Sequence, residues 1–138
     1  MTLRILVVDD HPIVRRGLKT LLGGQPGWEV VDEAVDGVDA VDKSVRLSPD
    51  LVVLDLSMPN MGGLEACRLI LKTAPQCEIL IVTQHDSPQM MREAGAAGAR
   101  GYVVKSNIAS DLIKAVEATS QHRPFWPAAI PDSAREVR

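Results

Sequence analysis

The chain has 138 residues, a net charge of −3 and 46% hydrophobic residues, enough for one domain with an apolar core. This modest negative charge excludes a domain that binds nucleic acid through bulk electrostatics. There is no apolar stretch of membrane-spanning length and no signal-peptide pattern, so we expect a cytoplasmic protein without a membrane partner. Aromatic residues make up 3%, and a core of Val, Ile, Leu and Ala suits a parallel sheet covered by helices.

Predicted strands and helices alternate along the chain. Apolar runs predict five strands, at residues 3–8, 28–34, 51–54, 79–82 and 102–104. Apolar stripes at helical spacing predict helices between them, with Val14, Leu18, Leu21 and Leu22 in the first and Val38, Val41 and Val45 in the second. Five such units predict an α/β fold, a five-stranded parallel sheet with five helices on its two faces.

Polar residues stand where the predicted strands end. In open parallel sheets, ligands bind beyond the carboxyl ends of the strands, where the strand order reverses. With the order 2-1-3-4-5, the first and third strands are neighbours and the crevice lies between them. The first strand ends at Asp9 and Asp10, the third at Asp55, the fourth at Thr83 and the fifth at Lys105. One rim of the sheet would thus carry three acids, a hydroxyl and an amine.

Three carboxylates close together at one rim of the sheet need a cation to balance their negative charge. Mg²⁺ prefers hard oxygen ligands, with water and phosphate completing its octahedron. We expect Asp10 and Asp55 to bind it directly and Asp9 to bind it through a water molecule. The backbone carbonyl of Ser57, just past the third strand, is a further candidate ligand.

The same set of residues suits phosphoryl transfer. A carboxylate such as Asp55 can act as a nucleophile and form an aspartyl-phosphate. The transfer needs mainly positioning and neutralisation of charge. The Lys105 ammonium and the Thr83 hydroxyl are suited to bind two of the phosphate oxygens.

Each of these residues alone has an ordinary structural explanation. An aspartate at a strand end is usually a turn former or a helix cap, Thr83 a β-branched strand residue and Lys105 a solvated strand terminus. Only their combination favours a site at Asp55. His11, beside the acids, is expected on the surface rather than as a metal ligand. Cys67 and Cys77 lack metal-ligand spacing and are expected to be reduced, partly buried thiols.

Four segments resemble the bacterial response-regulator receiver domain, which has a flavodoxin-like fold. They are residues 5–11, 54–59 with Gly63, 82–83 and 101–105. The resemblance spans residues 3–120 and implies that Asp55 accepts a phosphoryl group from a sensor histidine kinase. It also implies Mg²⁺ at Asp9, Asp10 and Asp55, and phosphoryl contacts from Thr83 and Lys105.

Two further segments, residues 95–102 and 123–128, are similar to the NarL/FixJ (LuxR-type) subgroup. In that subgroup a helix-turn-helix DNA-binding domain usually follows, and the phosphorylated protein is expected to form a homodimer. We divide the chain into a receiver domain, residues 1–120, and a C-terminal linker or tail, residues 121–138, too short for an output domain. The chain is either a single-domain regulator or a receiver from a longer protein, and the linker-like tail favours the second; any DNA contact then belongs to a domain outside this chain.

The resemblance also assigns roles around the site. Tyr102 would be a switch, its ring rotating inward when the phosphoryl group draws Thr83 towards it. Without that role, Tyr102 would be an ordinary half-buried aromatic with its hydroxyl in water. Gln84 and His85 would lie on the path to the phosphate and tune the rates of phosphorylation and hydrolysis.

Rival functions fit the sequence less well. Phosphatases with an aspartate nucleophile place a second acid two residues later, where this chain has Ser57. We therefore expect no enzyme acting on external substrates, only a domain that catalyses its own phosphorylation and dephosphorylation. A flavodoxin-like electron carrier is disfavoured because the acidic first loop would repel the FMN phosphate. A pseudo-receiver that acts as an interaction module stays an alternative, against which the intact set of acids, Thr83 and Lys105 argues.

Overall fold

A computed structural model describes residues 2–127 of the chain. Its five strands are β1 (Leu3–Val8), β2 (Trp28–Ala34), β3 (Leu51–Leu54), β4 (Glu78–Thr83) and β5 (Gly101–Val104). They form one sheet of parallel strands in the order β2-β1-β3-β4-β5. The predicted α/β fold and strand order are confirmed. Residues 128–138, most of the predicted tail, lie outside the described residues.

Five helices cover the two faces of the sheet. They are α1 (Pro12–Gly23), α2 (Gly37–Leu47), α3 (Gly63–Thr73), α4 (Pro88–Ala97) and α5 (Ile108–Ser120), with a short 3-10 turn at Lys105–Asn107. Alternate strand residues face opposite sides, so β1 gives Leu6 and Val8 to the core under α2, α3 and α4, and Ile5 and Val7 to the core under α1 and α5. Within residues 2–127, no helix combines the length and apolar character needed to cross a bilayer.

The strand register brings the ends of β1 and β3 together. Val8 lies opposite Leu54 on one side and Ala34 on the other. The ladder continues one residue further, because Asp9 N donates to Ala34 O and Asp55 N donates to Val8 O, both at 3.1 Å. Asp9 and Asp55 therefore leave the sheet on adjacent strands with their backbones held by hydrogen bonds.

The apolar stripe predicted for α2 is wrong at two of its three positions, and only Val41 packs, partly buried, against the core. Val38 and Val45 are 53% and 58% exposed, while the helix buries Gly37, Ala40 and Ser44. A Cβ atom at Gly37 would lie 2.3 Å from the backbone oxygen of Met61, so the first turn of α2 packs directly on the loop before α3. Small residues permit this close approach, and Val38 and Val45 are left on the outer surface.

One residue of the predicted α1 stripe is also misplaced. Leu18 and Leu22 are buried, but Leu21 is 44% exposed. At 100° per residue, Leu21 lies about 80° around the helix from the midpoint of the two buried leucines. It therefore falls at the margin of the buried face.

The chain turns back along β5 after α5. His122 has a φ of 63°, in the left-handed region, and reverses the direction of the backbone. Phe125 then forms a parallel bridge with Gly101, and Trp126 stacks on the ring of Tyr102. Residues 123–127, which we call the strap, thus pack on the free edge of the sheet.

Candidate functional site

Three carboxylates and an imidazole meet at the carboxyl ends of β1 and β3. Ligand atoms of Asp9, Asp10, His11 and Asp55 all lie within 4.8 Å of one another. Asp9 and Asp55 are buried, Asp10 is partly buried and His11 is exposed, as predicted for His11. The His11 Nδ1 atom lies 3.1 Å from Asp9 Oδ1 and 3.2 Å from Asp10 Oδ1, so its ring borders the acids.

Lys105, directly after β5, reaches across to the two buried acids. Its Nζ atom lies 2.8 Å from Asp9 Oδ2, a close ion pair without hydrogen-bond geometry, and donates a hydrogen bond to Asp55 Oδ2 at 3.1 Å. Burial alone would lower the pKa of Lys105, but its contacts with Asp9 and Asp55 outweigh burial and raise that pKa above its ordinary value. The ammonium is therefore charged at neutral pH and balances part of the acidic charge.

Backbone amides hold the other oxygen of each buried acid. Asp55 Oδ1 accepts a hydrogen bond from Leu56 N at 2.7 Å, and Asp9 Oδ1 accepts one from His11 N at 2.9 Å. Each carboxylate is thus fixed between an amide and the Lys105 ammonium. This arrangement orients both acids before any ligand binds.

Asp10 completes the cluster differently. Its Oδ1 atom is buried but has no hydrogen-bond partner among residues 2–127. A buried carboxylate oxygen without a donor is energetically unfavourable unless a cation is near it. The atom lies 3.2 Å from His11 Nδ1 and is a position in the cluster where a positively charged ligand would be favourable.

A chain of hydrogen bonds lies beside the acids. Thr83, at the end of β4, is fully buried, and its Oγ1 accepts from His85 N at 3.5 Å. The His85 ring shares a hydrogen bond of 2.5 Å between its Nε2 atom and Ser57 Oγ, which joins the loops after β3 and β4. Gln84 between them is exposed.

Tyr102 is buried completely, so the alternative to the switch role, an ordinary half-buried aromatic with its hydroxyl in water, does not describe it. The hydroxyl donates to the backbone oxygen of His85 at 2.8 Å. Trp126 covers the ring, with the ring centroids 6.1 Å apart. Burial, together with the charges of Asp86 and Asp55, raises the pKa of Tyr102 above its ordinary value. The ring already occupies the inward position in this structure.

Known proteins are similar to this chain in sequence and in fold. A family model described as the response regulator receiver domain matches residues 5–117. The chain belongs to this family. A solved LuxR-family two-component response regulator from Aurantimonas sp. SI85-9A1 is 42% identical, with a TM-score of 0.87 over 99% of this chain and 96% of that one. The isolated receiver domain of RcsB from Salmonella enterica serovar Typhimurium, solved with the phosphomimetic BeF3−, is 25% identical, with a TM-score of 0.86 over 99% and 100%.

The receiver also has longer relatives. The DNA-binding transcriptional activator DevR/DosR of Mycobacterium tuberculosis is 41% identical over 114 residues, which are 83% of this chain and 52% of that protein. The chain spans about half the length of the curated relatives it matches. Together with the LuxR and NarL structures, these matches confirm the predicted NarL/FixJ type. The protein is a receiver domain of two-component response regulators.

The residues of the receiver site fit a divalent cation. Three carboxylates within one cluster offer hard oxygen ligands, which Mg²⁺ prefers. The Lys105 ammonium balances only one of the acidic charges, and the buried Asp10 Oδ1 lacks a donor among the described residues. Both features favour a cation beside Asp10.

The structure brings most of the predicted site residues into one cluster: Asp9, Asp10, Asp55 and Lys105 lie in direct contact or within ligand distance. Thr83, Ser57 and His85 form the adjoining hydrogen-bonded chain. Their individual roles stay predictions. The Ser57–His85 bond joins residues 28 positions apart and has no local signal in the sequence. The contacts of His11 with the acids did have a local signal in the sequence, because His11 directly follows Asp9 and Asp10.

Proposed function

We propose that this receiver accepts a phosphoryl group on Asp55 from a sensor histidine kinase. The observation that carries the proposal is the paired geometry of Asp55 and Asp9, two buried carboxylates on adjacent strand ends that share the Lys105 ammonium. Such an arrangement holds a nucleophilic oxygen next to a group that can take up charge from a phosphoryl oxygen.

Asp9, Asp10, Asp55 and the Ser57 carbonyl would hold Mg²⁺. When bound, the ion supplies neutralisation of the charge on the phosphoryl oxygens. Asp10 contributes the oxygen that lacks a donor, and Asp9 is held in place by its amide and ammonium contacts. The proposed ligand set therefore uses oxygens that the fold has already oriented.

In the proposed transfer, Asp55 Oδ2 attacks the phosphorus of a phosphohistidine on the kinase. A phosphorus–oxygen bond forms as the phosphorus–nitrogen bond breaks, and the leaving imidazole takes up a proton. Lys105 exchanges its hydrogen bond with Asp55 Oδ2 for one with a phosphoryl oxygen, and the Thr83 hydroxyl donates to another. Hydrolysis later restores the carboxylate, so the domain catalyses only changes to itself.

His85 and Gln84 are proposed to set the rates of these steps. The hydrogen bond between His85 and Ser57 joins the two loops that border Asp55. Water and small phosphoryl donors must pass these loops. Gln84 is exposed and can move over the entrance.

The proposed signal is a population shift in the Thr83–Tyr102 pair. A phosphoryl group on Asp55 would stabilise the state in which Thr83 donates to it, and the Tyr102 ring responds through His85. The face formed by α4, β5 and α5 then changes for a partner.

We propose that the receiver belongs to a longer cytoplasmic regulator with a C-terminal DNA-binding domain. The support comes from DevR/DosR, whose name describes DNA binding and whose length is about twice the matched region. RcsB, a structural neighbour, has been solved as two dimers bound to DNA. Phosphorylation would by this proposal favour a homodimer, with residues 121–138 leading to the output domain.

The test of phosphoryl acceptance uses acetyl phosphate as a small-molecule donor. The intact mass of the chain should increase by one phosphoryl group in Mg²⁺ and stay unchanged in EDTA. Asp10→Asn should need a much higher Mg²⁺ concentration for the same yield, because it removes the charge on the unpartnered oxygen. Equal yields with and without Mg²⁺ would contradict the proposed role of the metal.

A further inference from the structure

The strap adds an isolated parallel bridge to the edge of the sheet at β5. Tyr102 N donates to Phe125 O at 2.8 Å, and Phe125 N donates to Arg100 O at 3.4 Å. These bonds pair backbone groups that an edge strand would otherwise expose. A Cβ at Gly101 would lie 2.9 Å from Phe125 O, so the glycine permits this close approach.

A buried acid anchors the start of the strap. The Glu78 side chain is 3% exposed and contacts both Arg100 Nη2 at 3.0 Å and His122 Nδ1 at 2.6 Å. His122 is the residue whose positive φ turns the chain towards β5. The reversal after α5 is therefore fixed by tertiary contacts and directs the strap onto the edge.

The other end of the strap lies on Tyr102. The Trp126 ring stacks on the Tyr102 ring at an interplanar angle of 23°. The Tyr102 hydroxyl bonds to His85, whose amide and ring in turn contact Thr83 and Ser57. A continuous set of contacts thus leads from residues beside Asp55 to Trp126.

We propose that the strap is an intramolecular clamp that holds the Tyr102 ring in its buried position and carries the state of the site to the chain beyond residue 127. Its input rests on the proposed phosphorylation of Asp55. A phosphoryl group that moves Thr83 shifts the His85 peptide, the Tyr102 hydroxyl bond and then the Trp126 stack. Coupling of this kind is reciprocal, so a loosened strap must also change ligand binding at Asp55.

The clamp itself is tested without phosphorylation, by hydrogen exchange on the whole chain. In Trp126→Ala the amides of Tyr102 and Phe125 should exchange about tenfold faster, because an aromatic pair contributes up to about that factor. Trp126→Phe, which keeps a stacking ring, should stay within about threefold of the parent. Unchanged exchange in Trp126→Ala would overturn the clamp. Gly101→Ala provides a second variant, since its methyl group would lie 2.9 Å from both Phe125 O and Thr119 Cγ2, and it should accelerate the same two amides.

The coupling is tested with beryllofluoride and Mg²⁺. Trp28→Phe leaves Trp126 as the sole tryptophan, and its emission should shift when beryllofluoride binds. In the parent background, Trp126→Ala should change the beryllofluoride half-saturation concentration, measured by calorimetry, at least about threefold. Binding with unchanged emission and an unchanged half-saturation concentration would overturn the coupling while the proposed function stands. If beryllofluoride does not bind and acetyl phosphate gives no adduct on Asp55, both the proposed function and this coupling are wrong. The clamp is then tested by hydrogen exchange alone.

Discussion

Lys105 lies between two buried acids, and its ammonium contacts a carboxylate oxygen of Asp9 and one of Asp55. Removal of one partner from a buried ion pair leaves the other charges uncompensated. The predicted strand order was enough to put Lys105 at this rim of the sheet. Its contacts with both Asp9 and Asp55 depend on the conformation of the long lysine side chain, which the pattern of apolar residues does not specify.

Lys105→Gln should lower the free energy of unfolding by about 1–3 kcal/mol in Mg²⁺-free buffer, because Asp9 and Asp55 lose their counter-charge. Added Mg²⁺ should recover more stability in this variant than in the parent, since the ion then faces less competing positive charge. Urea unfolding with and without Mg²⁺ measures both effects. Lys114→Gln, an exposed site on α5, is the matched control and should change neither. Equal behaviour of the two variants would argue against the ion-pair account.

Cys77 gives the fold a pH dependence on the alkaline side. Burial, and then the charges of Glu78 and Asp50, raise the pKa of its thiol from 9.0 to about 12. Between these values the unfolded chain releases a proton that the folded chain keeps. The stabilisation is therefore complete below pH 9 and is lost as the pH rises towards 12.

Cys77→Ala should accordingly lose less stability than the parent between about pH 9 and 11, with slopes that differ by up to about 1.4 kcal/mol per pH unit. Urea unfolding in a reducing buffer across this range measures the difference. Val52→Ala, another buried truncation, should reduce stability by the same amount at every pH. Parallel curves for Cys77→Ala and the parent would show that the thiol does not titrate as described.

At the scale of elements, α3 begins directly against the loop that carries Asp55. A Cβ at Gly63 would lie 2.1 Å from Asp55 O and 2.8 Å from Leu56 Cα, both backbone atoms that cannot move aside. Gly63 N also donates to Leu56 O at 2.9 Å. The glycine therefore sets the position of the Asp55 loop relative to the helix.

Gly63→Ala should destabilise the domain by about 1–3 kcal/mol and slow phosphorylation by acetyl phosphate, because the loop must shift to make room for the methyl group. The control is Gly17→Ala in the interior of α1, where a Cβ meets nothing within 4 Å. It should stabilise by about 0.5–1 kcal/mol through the better helix propensity of alanine. Thermal unfolding and the rate of adduct formation check both variants, and similar values for both would contradict the packing argument.

The sequence predicted the elements better than their orientation. Apolar runs located the strands because every residue of β3 and β4 is buried, and no alternation is needed. In α2 the apolar pattern does not indicate the buried face, because Gly37, Ala40 and Ser44 face inward where the backbone approaches Met61. Hydrophobicity alone assigns the inner face to the three valines, but close helix packing leaves Val38 and Val45 exposed and only Val41 against the core.

For the whole molecule, the strap was the least predictable part. Its hydrogen bonds join Phe125 to Arg100 and Tyr102, more than 20 residues away by number, at an edge that only the assembled sheet provides. The sequence indicated two aromatics between prolines and a resemblance of residues 123–128 to a linker, but nothing that placed them on the edge of the sheet. By contrast, the cluster of acids could be predicted, because strand order alone brings Asp9, Asp10 and Asp55 to one rim.

Self-association is the prediction at this scale. If phosphorylation changes the conformation of the surface formed by α4, β5 and α5, the phosphoryl mimic beryllofluoride, added with Mg²⁺, should increase the dimer fraction measured by sedimentation velocity. Asp55→Asn should stay at the unliganded fraction under the same conditions, because it removes the attachment point. An equal increase in the variant would mean that the effect does not arise at this site.

The most direct test of the account locates the phosphoryl group itself. The chain is incubated with acetyl phosphate and Mg²⁺, the acyl phosphate is trapped with borohydride, and the modified residue is identified by mass spectrometry of peptides. One reduced residue, Asp55, is expected in the parent, and no adduct is expected in Asp55→Asn. An adduct on Asp9 or Asp10 instead, or an undiminished adduct in Asp55→Asn, would contradict it.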